Sequence, residues 1–148
     1  MNETMRKFGY PDALVHDYAQ WCVLLRPAQV TLGALVLVAK SDARSFPDLD
    51  AAAFAELSPV VHDIEVGLRE FSQFEKINYL MLMMVDPNVH FHVLPRYSGT
   101  RTFNDAVFED RGWPGPPDLK AAPAITPTDF AAILASMKSL WPAGGRTS

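Results

Sequence analysis

Asn88-Val89-His90-Phe91-His92-Val93-Leu94-Pro95-Arg96-Tyr97 is the stretch on which the reading of this chain turns. Polar and apolar residues alternate with period two, the spacing of a β-strand with two unlike faces. Asn88, His90 and His92 share one face, whereas Val89, Phe91 and Val93 share the other and face a core. The two histidines then stand side by side, their Cα atoms roughly 6.5–7 Å apart at about 3.3 Å per residue. An imidazole pair is costly to bury without partners, so the pair is expected to line a cleft.

Just upstream, Ile77 to Val85 reads as a second strand by its length and apolar content. Asp86-Pro87 leaves room for a tight hairpin turn between the two strands. Its methionines are expected to fill irregular gaps in the core. Before it, Phe54, Leu57, Val61, Ile64, Leu68 and Phe71 recur at steps of three and four, the stripe of an amphipathic helix. Asp48 or Asp50 suits its N-cap. Pro59 interrupts the pattern. Inside a helix it removes a hydrogen bond at a cost of about 3 kcal/mol, so a kink or a second helix starting at Ser58-Pro59 is expected. His62, beside the stripe, reads as a partly exposed structural residue.

Further upstream, Tyr18 to Arg26 favours extended structure and Pro27 ends it. Gly33 to Ala39 is a continuous apolar run, as for a strand buried on both faces. The two form a hairpin across residues 27–32, and Lys40 to Asp48 is a loop. Residues 1–16 are less informative: Leu14 and Val15 fit one helical turn, and His16 reads as a surface residue. Downstream, residues 98–125 are dense in Gly and Pro, which excludes long helices. Arg101, Arg111, Phe103, Phe108 and Trp113 lie among them, and two uses stay open: a long ordered loop beside a site, or a dimer contact. Thr126-Pro127-Thr128-Asp129 has capping-box spacing and opens a helix at about 127–141. Pro142 and Gly144-Gly145 end it, and disorder is expected beyond.

The chain has 148 residues, enough for a real core, and is most simply one domain whose core spans about 18–97. A net charge of -4 argues against bulk nucleic-acid binding, but a small anion needs only local donors. The single cysteine, Cys22, excludes an internal disulfide and reads as a small core residue in a reducing compartment. No apolar run approaches the roughly 20 residues of a membrane span, and the N-terminus lacks a signal-peptide core. A cytoplasmic protein with no membrane partner is expected. From pattern alone the fold class is α+β, with helices against an antiparallel sheet.

Asn88-x-His90-x-His92-x-x-Pro95-Arg96 resembles the signature strand of the histidine triad (HIT) family, in which three histidines alternate with apolar residues, often before Pro-Arg. The resemblance covers roughly Val23 to Tyr97 and includes the Gly33-x-Leu35-Val36 strand. It implies an antiparallel sheet of about five strands with a long helix and a C-terminal helix, and a homodimer. It implies a hydrolase or nucleotidyl transferase acting on a nucleotide α-phosphate, of the phosphoramidate or dinucleoside polyphosphate class. By resemblance His90 is the nucleophile that forms a nucleotidyl-histidine, and His92 hydrogen-bonds the phosphate or the bridging atom. No protein-bound cofactor or metal is implied, although Mg²⁺ can arrive with a polyphosphate.

Three departures accompany the resemblance. Asn88 stands at the first histidine position, where an amide can orient a neighbour but cannot titrate near neutrality. The family's glycine-rich phosphate loop is reduced to Asp86-Pro87, and the Asp86 carboxylate would repel an anion. The usual Gly-His of the earlier strand is Gly33-Ala34. Arg96, Arg101 and Arg111 are the candidates for the missing positive charge. The alternatives are a nucleotide- or partner-binding domain without efficient turnover, a metal site in which Asp86 joins His90 and His92, and two structurally satisfied histidines.

Overall fold

The computed structural model describes residues 1–142. Five strands form one antiparallel sheet: β1 (Leu14–Asp17), β2 (Trp21–Leu25), β3 (Leu35–Ala39), β4 (Lys76–Leu80) and β5 (His90–Arg96), in the order β1-β2-β3-β5-β4. The helices are α1 (Glu3–Lys7), α2 (Ala51–Ser72) and α3 (Pro127–Leu140). The architecture is α+β, and the histidine strand lies inside the sheet between β3 and β4.

The two sheet faces are covered differently. On one, Val23, Leu25, Leu35, Leu37 and Val93 pack with Val60, Ile64 and Leu68 of α2 and with Ile133 and Met137 of α3. On the other, Met5 and Phe8 pack over Cys22, Leu24, Val36 and Val38. Period two along β5 puts Val89, Phe91 and Val93 toward the first core, as the alternation requires. Cys22 is wholly buried, and burial pushes its thiol up to about 12.

The β2–β3 hairpin forms across the expected connection, with Trp21 opposite Ala39 and Leu25 opposite Leu35. The side chain of Gln29 closes it: Nε2 donates to Arg26 O (2.7 Å) and Ala34 O (2.9 Å), and Oε1 accepts from Gly33 N (2.8 Å). Gly33 has φ +92°, and a Cβ there would stand 3.2 Å from Leu68. A side chain would meet both strain and a crowded helix face.

Several elements differ from the sequence reading. Leu14–Asp17 is a strand paired with β2, not a helical turn, with a bulge between Leu14 and His16. β2 begins at Trp21 rather than Tyr18. α2 is one uninterrupted helix capped by Asp50, whose side chain accepts from Ala53 N (3.1 Å). Pro59 lies within it, and both Pro59 and Ala55 are exposed, so the carbonyl that loses its donor faces water. The buried stripe is Ala53, Val60, Ile64, Gly67 and Leu68, while Phe54 is exposed and meets Phe46. Gly67 admits Trp141, whose Cε3 would lie 2.6 Å from an added Cβ.

β4 ends at Leu80, and residues 81–89 form a longer connection instead of a tight turn. Met81 and Met83 touch the core, but Met84 and Val85 are 85% and 81% exposed and fill no gap. Within 98–125, strands β6 (Arg101–Phe103) and β7 (Ala106–Phe108) form a small hairpin whose Asn104 and Asp105 both have positive φ. Phe103 and Phe108 join the main core. α3 starts at the expected cap, where Thr126 Oγ1 accepts from Asp129 N (3.0 Å). Gly144 and Gly145, and the tail expected to be disordered, lie outside the described residues.

Candidate active site on the histidine strand

Register brings the two histidines out on the α1 face. His90 is opposite Val38, and His92 is flanked by Val36 and Leu80. Their rings lie 5.2 Å apart and nearly perpendicular (83°). Phe8 stands over both, 6.1 Å from His90 and 5.9 Å from His92. The rings are 2% and 8% exposed, yet both line a cavity of about 340 Å³. Its other walls are Lys7 and Phe8, Arg26, residues 82–86, and Leu119 from the turn-rich segment.

Hydrogen bonds give the two rings opposite tautomers. Nδ1 of His90 is 2.7 Å from Asn88 O. A carbonyl only accepts, so Nδ1 carries the proton and the neutral ring keeps its lone pair on Nε2. Nδ1 of His92 instead accepts from Nε of Arg26 at 3.4 Å. Guanidinium nitrogens only donate, so the proton of neutral His92 sits on Nε2. Burial, then Arg26 and His90, drive the pKa of His92 down to about 4, with Lys7 acting the same way and Asp86 opposing them.

The sequence candidates are distributed unevenly. His90, His92 and Asp86 meet at the cavity. Asp86 pairs with Lys7 at 2.5 Å, which offsets the repulsion its carboxylate would exert on an anion. Asn88 turns its side chain elsewhere. Oδ1 accepts from Thr4 N (3.1 Å) while the Asn88 backbone N–H donates to Thr4 Oγ1 (3.0 Å), clamping the approach to β5 onto α1. What position 88 offers His90 is a main-chain carbonyl, which any residue supplies.

Arg96, Arg101 and Arg111 do not line the cavity. Arg96 is buried, and four hydrogen bonds tie it to Asp110 (2.7 and 3.0 Å), Asn78 Oδ1 (2.7 Å) and Gly115 O (2.9 Å). Arg101 lies over Tyr97 and bonds Ser72 O, and exposed Arg111 faces Glu109. The arginine at the site is Arg26, which sequence reasoning passed over. Its Nη1 donates to Ala28 O (2.7 Å), and among the described residues it forms no ion pair. The signal that marks it is parity. Cys22, Leu24 and Arg26 alternate onto one face, but only the hairpin register shows that this is the histidines' face. Among the described residues, no three His, Cys, Asp or Glu side chains are grouped to hold a metal ion.

Solved structures with this architecture carry one common description. A histidine triad protein from Bradyrhizobium japonicum superposes with a TM-score of 0.72 at 20% identity, over 95% of this chain and 96% of its own. One from Marinobacter aquaeolei gives 0.70 at 20% identity, over 95% and 94%. A hypothetical histidine triad nucleotide-binding protein from Sulfolobus tokodaii gives 0.64 at 16% identity, over 86% and 81%. This chain has the histidine triad fold. No protein-family model matches it, and no curated protein does. In the histidine triad pattern, the three alternating positions are Asn88, just before β5, and His90 and His92 on it, and the last two carry imidazoles on the cavity. No helix among the described residues is long and apolar enough to cross a membrane.

Proposed function

We propose that this chain is a nucleotide-binding protein of the histidine triad type that cleaves its ligand at the α-phosphate through His90. The observation that carries the reading is the pair of opposed tautomers. One ring offers a lone pair and its neighbour offers an N–H, side by side on a cavity with Arg26 and Lys7 in its walls. Nucleophilic attack on phosphorus needs the first, and an oxyanion needs the second.

In the first step Nε2 of His90 attacks phosphorus, the N–P bond forms and the bond to the leaving group breaks, its electron pair departing with that group. Nε2–H of His92 donates a hydrogen bond to a phosphate oxygen or the bridging atom. Nδ1 of His90 keeps its proton on Asn88 O, which spreads the positive charge that develops on the ring. Water then attacks the same phosphorus, the N–P bond breaks with its electron pair returning to Nε2 of His90, and the proton shed by the water passes to solvent. Mg²⁺, where a polyphosphate needs it, enters with the substrate, and a homodimer is part of the same proposal.

A second reading, binding without efficient turnover, draws on Asp86. Its side chain is 10% exposed at the cavity, and its charge counts against a polyphosphate unless Lys7 stays paired to it. Rapid quenching after mixing with a dinucleoside tetraphosphate or an adenosine phosphoramidate, followed by intact-mass analysis, separates the two. A nucleotidyl adduct present in the wild type and missing in His90→Ala supports turnover. Saturable nucleotide binding without adduct or product supports the second reading.

A further inference from the structure

Arg26 is the unexplained charge of this site. Its cavity position, its contact with His92 and its lack of an ion pair among the described residues set it apart from Arg96, which is paired with Asp110. Gln29 and Ala34 hold its backbone: Arg26 O accepts from Gln29 Nε2 (2.7 Å), and Arg26 N donates to Ala34 O (2.9 Å). The guanidinium is thus placed by the closed hairpin, and burial lowers its own pKa.

We propose that Arg26 determines which leaving groups the histidine cavity accepts: by donating Nε–H to Nδ1 of His92 it fixes that ring as a hydrogen-bond donor with no proton to give away, and so selects nucleotide phosphoanhydrides over phosphoramidates. The inference rests on the nucleotide reading for its substrates. An imidazolium at His92 would turn a second N–H toward Arg26, setting donor against donor and cation against cation. The other charged or titratable groups facing His92 are His90 on its own strand, Asp86 on the 81–89 connection and Lys7 on α1, and Asp86 is tied to Lys7. A neutral His92 can hydrogen-bond a departing oxygen but cannot protonate a departing nitrogen.

The two substrate classes differ at that point. When the bridging P–O bond of an anhydride breaks, the electron pair stays on a phosphate oxygen, a stable anion that requires no proton. When a P–N bond breaks, the nitrogen must gain a proton as the pair arrives. General acid catalysis of such a step contributes about 10²–10⁴-fold, and that is the factor withheld from amine leaving groups here. Arg26 acts through His92 and is a positioning residue for the reaction.

The test compares a dinucleoside tetraphosphate with an alkylamine phosphoramidate of adenosine, in the wild type, Arg26→Met and Arg26→Lys. Wild type is expected to favour the anhydride in kcat/KM by about 100-fold or more. In Arg26→Met that ratio is expected to fall at least tenfold, with phosphoramidate turnover rising as the pH drops below neutrality. Arg26→Lys keeps a cation and restores part of the ratio. Nitrogen-15 NMR of the ligand-free protein reads the cause: one tautomer at His92 in the wild type, a mixture in Arg26→Met. Thermal melting verifies that each variant is folded. An unchanged ratio in Arg26→Met, or wild-type phosphoramidate turnover as fast as anhydride turnover, overturns the inference while leaving the nucleotide reading intact. Turnover of neither substrate, with no adduct on His90, overturns both.

Discussion

Arg26 and Arg96 both lie close to the histidine strand, and they have opposite surroundings. Arg96 ends β5 with Asp110 gripping two of its nitrogens and two further oxygens accepting from the rest. Arg26 ends the first arm of the hairpin with one carbonyl and one imidazole as side-chain partners. A buried guanidinium gripped by a carboxylate and two further oxygens is occupied, and such a pair holds structure together. A half-buried guanidinium with donor capacity left over, on the wall of a cavity, is arranged for something absent from the chain. The lesson is to rank charged side chains by what still needs a partner, rather than by nearness to a motif in sequence.

The largest expected effect comes from breaking the occupied side. Asp110→Ala leaves the Arg96 guanidinium buried and unpaired and also removes the acceptor of Tyr97 N, so a loss of about 3–5 kcal/mol is expected in urea unfolding. Arg26→Met removes a cation that has no carboxylate partner and should change stability by under about 1 kcal/mol. Equal losses in the two variants would erase the distinction.

Acid titration tests the open side. His92 is held near a pKa of about 4, against an ordinary value of 6.5, chiefly by burial. The unfolded chain therefore binds a proton at this ring in a range where the folded chain does not. Stability from the neutral ring is full above about 6.5 and is lost as the pH falls toward 4, amounting to at most roughly 3 kcal/mol. Urea unfolding at pH 7 and pH 4.5 should show a smaller acid loss in His92→Gln than in the wild type. An identical loss would mean that His92 charges freely in the folded protein.

Asn88 gives the next effect. Its side chain serves Thr4, which is wholly buried, and its carbonyl serves His90. Asn88→Ala leaves the Thr4 N–H without its acceptor, costing about 1–3 kcal/mol, but keeps the carbonyl. The expected outcome is a lowered melting temperature with the His90 tautomer preserved by nitrogen-15 NMR. A change of tautomer would assign the amide a part in the site that the hydrogen bonds do not give it.

What could be read from the sequence was what depends on near neighbours. The two faces of β5 follow from alternation, the α3 start from Thr126 and the amide donor three residues on, and the hairpin from two apolar runs around Pro27. β1 escaped because four residues are too few to show a period, and strand pairing outweighed local preference. The run Met81 to Val85 looked like core because its residues are apolar, yet most of it stands at the surface beside the histidines. Arg96 was misassigned because its partner, Asp110, lies in a turn-rich segment with no periodicity to place it. Arg26 was invisible for a related reason: its meaning depends on a cross-strand register, which composition does not encode.

Met84 offers the smallest effect and the finest probe of that contrast. It is 85% exposed, so Met84→Ser removes little buried surface and should leave stability within about 0.5 kcal/mol. It nevertheless lines the same cavity as Arg26 and the histidines, whose side chains make its polar wall. An exposed thioether on a loop loses area to water unless a ligand covers it, and covering it would recover about 25 cal/mol per Å² of apolar surface. A few-fold rise in KM or Kd for nucleotide, with kcat and melting temperature unchanged, is the expected signature. An unchanged Kd would place the ligand entirely on the polar wall, where Arg26 would then carry its hold without help from the loop.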